Sequence, residues 1–210
     1  MNHVKTYHSM ELTTEDGPLI IEGHIPSAKL EDYEFHNDLT AFRPPKEQHN
    51  ALIGIAKLSE GRVIIARFEH TIVGYVTYLY PDPLERWSEG RLDFLIELGA
   101  IEVAPQFRGS SVGKSLLQVS MMDSFMENYV IITTEYYWHW DLKGTKMSVW
   151  DYRKMMEKMM NAGGLVYFAT DEPEICSHPA NCLMARIGSH VDQQKIGAFD
   201  RLRFKNRFMY

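Results

Sequence analysis

The residues best suited to chemistry lie in a short loop between a predicted strand and a predicted helix. The stretch from Val103 to Ser115 reads Val-Ala-Pro-Gln-Phe-Arg-Gly-Ser-Ser-Val-Gly-Lys-Ser, and it follows an apolar, strand-like run. A turn of small residues that leads into a helix exposes backbone N–H groups at the positive end of the helix dipole. The loop is therefore predicted to bind a phosphate or a pyrophosphate.

Three interpretations of this loop compete. The phosphate loop of nucleotide hydrolases reads G-x-x-x-x-G-K-[ST]; here Gly113, Lys114 and Ser115 match its end, but Arg108 stands where the first glycine is needed. The second pattern is Gln106-x-x-Gly109-x-Ser111 followed by Gly113, which resembles the Q/R-x-x-G-x-G/A signature of the GCN5-related N-acetyltransferases. Ser111 replaces a signature glycine and must adopt an unusual backbone angle. The third interpretation is a purely structural turn.

The resemblance to this family extends along the whole chain. It is carried by the stretches 98–109, 136–141 and 176–182, and it is most specific toward bacterial enzymes that acetylate lysines of proteins. The resemblance implies acetyl-CoA as the donor and no metal. It implies that acetyl-CoA is bound by Ile101, Val103, Gln106, Phe107, Arg108, Gly109, Ser110, Ser111, Val112, Gly113 and Lys114. It further implies that the acceptor is a lysine of acetyl-CoA synthetase, which acetylation turns off in the control of acetate and acetoin metabolism. The alternative is a catalytically weak acyl-CoA-binding regulator that inhibits its partner by docking.

Direct transfer to a lysine needs a base, because a lysine ammonium must lose its proton before it can attack. A carboxylate, acting directly or through one water, can accept that proton. Glu97 and Glu102 both lie on the long predicted strand, but their odd separation places them on opposite faces. The resemblance implies that the base lies on the face of the odd-numbered positions if the pairing of the strand is regular, which favours Glu97. Proximity to the loop, or a bulge that switches the faces beside the site, favours Glu102. Both remain candidates for the base.

A general acid and a metal site are weaker predictions. The family often uses a tyrosine as the acid, but Met159 and Met160 stand at the expected positions, so Tyr152, on a similar helix face, is the candidate acid. His178 is a secondary catalytic candidate, since imidazole titrates near neutral pH. Cys176, His178 and Cys182, with His190 as a fourth ligand, invite a zinc interpretation, but their spacing differs from that of structural zinc sites.

Composition limits the possible classes of protein. The chain has 210 residues, 45% of them hydrophobic, and a formal net charge of −6, which gives no general case for binding nucleic acid or an anionic membrane. No apolar run has the roughly 20 residues of a membrane span, and no secretory signal is present. Two cysteines in a chain of this length favour the cytoplasm.

The order of predicted elements indicates an α/β protein, and the resemblance implies a mixed central β-sheet flanked by helices, whose central strands splay to form an acetyl-CoA cleft. We expect one domain over residues 1–210, with 171–210 as a C-terminal extension that ends in a strand from Asp200 to Phe208. The aromatic stretch Tyr136 to Trp140 is either a surface for a protein acceptor or part of the core. The predicted elements are strands at 18–25, 62–68, 71–80, 92–103, 129–134 and 165–170, and helices at 47–58, 111–126 and 148–160.

Overall fold

The computed structural model describes residues 1–14 and 17–205, which form two compact units. The first unit contains Met1–Tyr80 and Leu98–Met126, and the second contains Pro81–Glu97 and the chain from Glu127 onward. The long strand that leads to the candidate loop begins in the second unit and ends in the first. The prediction of a single domain over the whole chain stays a prediction.

The first unit is built on a mixed sheet. Its strands are β1 (His8–Thr14), β2 (Gly17–Gly23), β3 (Glu34–Phe35), β4 (Arg62–Phe68), β5 (Thr71–Leu79) and the end of β6 (Leu95–Val103). The pairs β1–β2, β2–β4 and β4–β5 are antiparallel, and the short β3 pairs in parallel with β5. The strands predicted at 62–68 and 71–80 are confirmed; they form a hairpin, and Glu69 at its turn has a left-handed φ of 51°.

Three helices belong to the same unit: α1 (Ser27–Asp32), α2 (Pro45–Lys57) and α3 (Val112–Ser120). Helix α2 starts with a proline in its first turn, where the missing N–H costs nothing, and it turns Leu52 and Ala56 toward the core. Helix α3 buries most of its residues. The predicted helix over 111–126 is therefore correct in type but ends earlier, at Ser120.

The second unit also mixes parallel and antiparallel pairing. The start of β6 pairs in parallel with β7 (Val130–Glu135), which pairs antiparallel with β9 (Cys182–Ile187), and β9 pairs antiparallel with β8 (Val166–Phe168). Strand β9 was not among the predicted elements. The helices of this unit are α4 (Leu142–Thr145), α5 (Val149–Met160), α6 (Pro173–Cys176) and α7 (Gln193–Arg203).

The predicted C-terminal strand from Asp200 to Phe208 is wrong where the structure describes it. Residues 200–203 belong to α7, whose N-cap Asp192 accepts the backbone N–H of Lys195. Phe199 and Leu202, three residues apart, are buried on one helix face against Trp87 and Phe94. Phe208 lies outside the described residues.

Several basic residues of this segment form ion pairs within the second unit. Lys195 pairs with Asp192 at 3.8 Å, Arg203 pairs with Asp200, and Lys205 pairs with Glu89. These ion pairs engage cations that a nucleic acid would need to contact, so they count against nucleic-acid binding by this segment. None of the helices in the described part of the chain is both long and apolar enough to cross a membrane.

Candidate active site

The candidate phosphate loop joins the end of β6 to α3. After Val103, a single 3-10 turn over Pro105–Phe107 carries the chain outward, and α3 begins at Val112. Gly109 has a φ of +89°, with no heavy atom within 4 Å of the position that a Cβ would occupy. The backbone there is open to solvent, so a bound group can approach it closely.

Ser111 takes the backbone conformation that its place in the pattern demands. Its φ of 62° and ψ of 14° are left-handed, which explains why glycine is suited to this position and why serine is strained there. The Ser111 side chain makes no capping hydrogen bond, and the first helical bond runs from the Ser115 N–H to the Ser111 carbonyl at 3.0 Å. The N–H groups of Val112, Gly113 and Lys114 therefore have no acceptor within the helix. A diphosphate can use all three.

Side chains of the loop divide into anchors and exposed groups. Arg108 donates from Nε to the carbonyl of Val103 at 2.9 Å, and the Gln106 side chain hydrogen bonds to the ring of His36 at 2.7 Å. The ring of Phe107 lies 6.1 Å from that of Phe68. The predicted ligands Gly109, Ser110 and Ser111 are exposed, whereas Ile101, Val103, Gly113 and Lys114 are half-buried. Val112 is buried, so only its backbone N–H is available to a ligand.

Glu102, one of the two candidate bases, is enclosed in the first unit. The residue is 5% exposed. Its Oε1 accepts the backbone N–H of Ala41 at 2.8 Å, and its Oε2 accepts the hydroxyl of Tyr75 at 2.7 Å. Burial, and then the hydrogen bond to Glu102, raise the pKa of the Tyr75 hydroxyl well above its ordinary value. Each carboxylate oxygen is thus engaged by a fixed donor, which is the arrangement of a structural carboxylate.

Glu97, the other candidate, lies at the end of the second unit in a different setting. It is half-buried, and its carboxylate accepts a long hydrogen bond of 3.5 Å from the Thr134 hydroxyl. Burial raises the pKa of Glu97 to about 8, and the negative charge of Glu85 adds to the effect. A carboxyl group with a pKa near the working pH is matched to proton transfer.

A third carboxyl group was missed by the sequence reasoning. Glu135 ends β7, where its oxygens accept from the indole N–H of Trp140 at 3.3 Å and from the Thr133 hydroxyl at 3.2 Å. Burial raises the pKa of Glu135 to about 7. The available signal was an acidic residue at the junction of an apolar run and an aromatic run, where the indole needs an acceptor.

Tyr152, the candidate acid, packs against an aromatic ring of the second unit. Its ring is stacked on Trp140 with centroids 5.1 Å apart. The aromatic stretch 136–140 is divided between exposure and burial, because Trp138 is 45% exposed while Trp140 is 9% exposed. This division leaves room for both interpretations of the stretch, as acceptor surface and as core.

His178 lies beside the same aromatic stretch. Its ring centroid is 4.1 Å from that of Tyr137, and its Nδ1 accepts the backbone N–H of Ala180 at 3.1 Å. The neutral ring therefore carries its proton on Nε2. These contacts hold the imidazole in a defined orientation, so His178 stays a catalytic candidate with one nitrogen already in use.

The zinc interpretation finds no support in the geometry. Cys182 is buried in β9, where burial raises the pKa of its thiol to about 12, whereas Cys176 is exposed and its thiol donates to the Thr170 carbonyl at 3.3 Å. A thiol with a raised pKa resists the deprotonation that zinc binding requires. Within residues 1–14 and 17–205, no group of three or more His, Cys, Asp or Glu side chains is placed to hold a metal ion.

Fold and loop together define an acetyltransferase of the GNAT class. The model of the "Acetyltransferase (GNAT) family" matches residues 29–140, more than half of the chain, so the protein belongs to this family. It is an acyltransferase that depends on acetyl-CoA. This assignment removes the nucleotide-hydrolase interpretation of the loop.

Particular relatives are similar along their whole length. The chain is 73% identical to the acetoin utilization protein AcuA of Bacillus licheniformis and 71% identical to that of Bacillus subtilis, with complete coverage of both chains in each comparison. It is 61% identical to the crystal structure of an acetoin utilization protein from Exiguobacterium sibiricum, with a TM-score of 0.95 and coverage of 99% of this chain and 98% of that one.

A more distant structure supports the fold alone. The GNAT domain of S. lividans PAT shares 11% identity, with a TM-score of 0.52 over 85% of this chain and 96% of that domain. The predicted α/β fold with a mixed sheet and flanking helices is confirmed by these matches.

Proposed function

We propose that this acetyltransferase moves the acetyl group of acetyl-CoA to a lysine side chain of acetyl-CoA synthetase and thereby turns the synthetase off. The observation that carries the proposal is the full-length identity of 73% to a protein named for acetoin utilization. This identity also covers the regions outside the family match at 29–140. Two free cysteines are compatible with work in the cytoplasm.

The proposed donor site is the loop from Gln106 to Lys114. Main-chain N–H groups at the start of α3 would bind the diphosphate of acetyl-CoA, since they have no helical acceptor and lie at the positive end of the dipole. Binding there holds the thioester in a fixed place, and fixed placement of two reactants supplies much of the rate in a direct transfer.

We assign the role of base to Glu97 and not to Glu102. Glu97 accepts a long hydrogen bond from Thr134 and has a pKa raised to about 8, so its carboxylate is suited to accept a proton near neutral pH. Glu102 has a rigid donor on each oxygen. In the proposed step, Glu97 takes a proton from the lysine ammonium, and the amine then attacks the thioester carbon. The tetrahedral intermediate collapses to the amide as the C–S bond breaks, and the second proton on its nitrogen passes to the leaving thiolate of CoA, directly or through water.

Tyr152 and His178 are the remaining candidates for protonating the leaving thiolate. Tyr152 is stacked on Trp140, and the Nδ1 of His178 is already bonded to the N–H of Ala180. A thiol has a lower pKa than an alcohol, so the thiolate leaves more readily and transfer can proceed without an acid. We therefore expect each of these side chains to contribute less than Glu97.

The test is to incubate the purified protein with acetyl-CoA and acetyl-CoA synthetase and to measure the intact mass of the synthetase. We expect a gain of one acetyl group together with loss of synthetase activity. Peptide mapping then locates the lysine, and replacement of that lysine by arginine should abolish the mass gain.

Two other results would reject parts of the proposal. A stable complex that inhibits the synthetase without any mass gain would favour the docking regulator. Acetyl transfer to other proteins, with the synthetase unmodified, would show that the acceptor is wrong while the donor chemistry is right. The Glu97→Gln variant serves as the matched catalytic control in each experiment.

A further inference from the structure

The strand and the loop that would bind acetyl-CoA each contact the same connecting segment of the first unit. This segment, residues 36–44, connects β3 to α2 and contains no helix or strand. Glu102, on β6, accepts the N–H of Ala41 at 2.8 Å. Gln106, in the loop, hydrogen bonds to the ring of His36 at 2.7 Å. The first contact holds the segment, and the second connects the segment to the loop.

Segment 36–44 is also attached to the first unit by contacts near both of its ends. Leu39 is fully buried in the core, and the N–H of His36 donates to the Ile72 carbonyl at 3.0 Å. Ala41 and Phe42 are exposed, and the exposed Arg43 donates from Nη1 to the Gln48 side chain at 3.1 Å. A backbone with this little regular structure loses much conformational entropy when it is ordered, so a buried charged acceptor for its N–H is a substantial constraint.

Side chains of the loop also contact this segment. The His36 ring meets the edge of Phe107 at 6.2 Å in addition to bonding Gln106. Beyond these residues, Gly109, Ser110 and Ser111 are exposed, and two of the three have positive φ. An exposed loop in an unfavourable conformation needs support from outside to stay ordered before its ligand arrives.

We propose that Glu102 is a positioning residue: its carboxylate holds segment 36–44 in place, so that His36 keeps Gln106 and Phe107, and with them the loop, in the conformation that binds acetyl-CoA. This inference rests on the proposed binding of the acetyl-CoA diphosphate by the loop. It assigns to Glu102 a role in donor affinity instead of proton transfer. Tyr75 supports the same role, because its hydroxyl fixes the other carboxylate oxygen at 2.7 Å.

The experiment compares four variants with the wild-type protein: Glu102→Ala, Glu102→Gln, His36→Ala and, as a control in the same segment, Thr40→Ala, whose side chain is exposed. Initial rates against acetyl-CoA concentration separate KM from kcat, and calorimetry with CoA gives Kd without any acceptor. Circular dichroism and thermal unfolding establish that each variant is folded.

We expect Glu102→Ala and His36→Ala each to raise the KM for acetyl-CoA and the Kd for CoA by about three- to tenfold, with kcat changed by less than about twofold. A fifth variant that combines Glu102→Ala with His36→Ala should bind CoA about as well as the weaker of the two single variants, because both changes break the same connection. Glu102→Gln should recover most of the affinity, since its amide oxygen can still accept from Ala41 and its NH2 can donate to Tyr75. Thr40→Ala should match the wild type.

Several outcomes would overturn the inference. A large loss of kcat in Glu102→Gln, with a flattened acidic limb of the pH profile, would show that Glu102 is the base. Unchanged KM and Kd in a folded Glu102→Ala variant would show that the segment does not support the loop. If Glu102→Ala does not fold, unchanged KM and Kd in His36→Ala would show the same. If the wild-type protein does not bind CoA, the proposed function fails as well. If the wild type binds CoA and the variants bind it equally well, only the positioning role of Glu102 fails.

Discussion

The assignment of Glu97 as the base leads to a prediction about the pH dependence of the reaction. Its pKa is raised to about 8. With that value, about one tenth of the enzyme carries the carboxylate at pH 7 and about nine tenths at pH 9. The kcat/KM of the wild-type enzyme should therefore rise about tenfold between these two pH values, because kcat/KM reports the ionisation of the free enzyme.

Two substitutions should shift the midpoint of this rising limb of the pH profile in opposite directions. Thr134 donates to the Glu97 carboxylate and lowers the pKa of Glu97, so Thr134→Val should shift the midpoint to higher pH. The charge of Glu85 raises the pKa of Glu97, so Glu85→Gln should shift the midpoint to lower pH. Glu97→Gln should lower kcat/KM at pH 8 by roughly 100-fold. In this variant, kcat/KM should rise only with the deprotonation of the acceptor lysine, whose reference pKa is about 10.4.

The assay is the initial rate of CoA release at fixed, subsaturating acetyl-CoA and synthetase over pH 6 to about 10, with buffers matched for ionic strength. The reasoning is refuted if the limb of the wild type has its midpoint below about pH 6, or if Glu97→Gln keeps both the rate and the limb. The same series with Glu102→Gln is the matched control, and its limb should coincide with that of the wild type.

Three further predictions concern the loop, a buried ion pair of the first unit and the C-terminal helix α7. Gly109→Ala should weaken CoA binding by about 5- to 30-fold in calorimetry, because its φ of +89° strains an alanine by about 1–2 kcal/mol although no atom clashes. Ser111→Gly, which relieves a left-handed serine, should bind CoA at least as well as the wild type. Glu22→Gln should destabilise the fold by about 3 kcal/mol at pH 7, since the buried carboxylate accepts from Arg67 at 2.7 Å. Hydrogen bonds and nearby cations lower the pKa of Glu22 from 4.5 to about 2 despite its burial, so the stabilisation by its carboxylate is present above pH 4.5 and lost as the pH falls toward 2. In urea unfolding, the variant should therefore differ less from the wild type at pH 3 than at pH 7. An equal difference at the two pH values would contradict this assignment. Phe199→Ala should cost about 3–5 kcal/mol in the same assay because the ring is fully buried, and a change below about 1 kcal/mol would show that α7 does not pack as described.

Local patterns in the sequence were sufficient where local physics decides the structure. The hairpin of β4 and β5 follows from two apolar runs around Glu69, and the start of α3 follows from small residues after an apolar strand. The unusual angle required of Ser111 was also predictable, since the position in the pattern favours glycine and only a left-handed backbone explains that preference. In each case the relevant interactions lie within a few residues of one another in the chain.

Tertiary contacts decided what these patterns could not. Alternating charged and aromatic residues near the C-terminus fit both a strand and a helix, and the choice of α7 depends on Phe199 and Leu202 packing against distant residues of the second unit. The sequence by itself determined the family, the loop and the need for a carboxylate. Only the tertiary structure distinguished Glu97 from Glu102, because Ala41 and Tyr75, 61 and 27 residues away in the chain, occupy both oxygens of Glu102. Burial and partners set the chemistry of a carboxyl group, and both are properties of the folded chain.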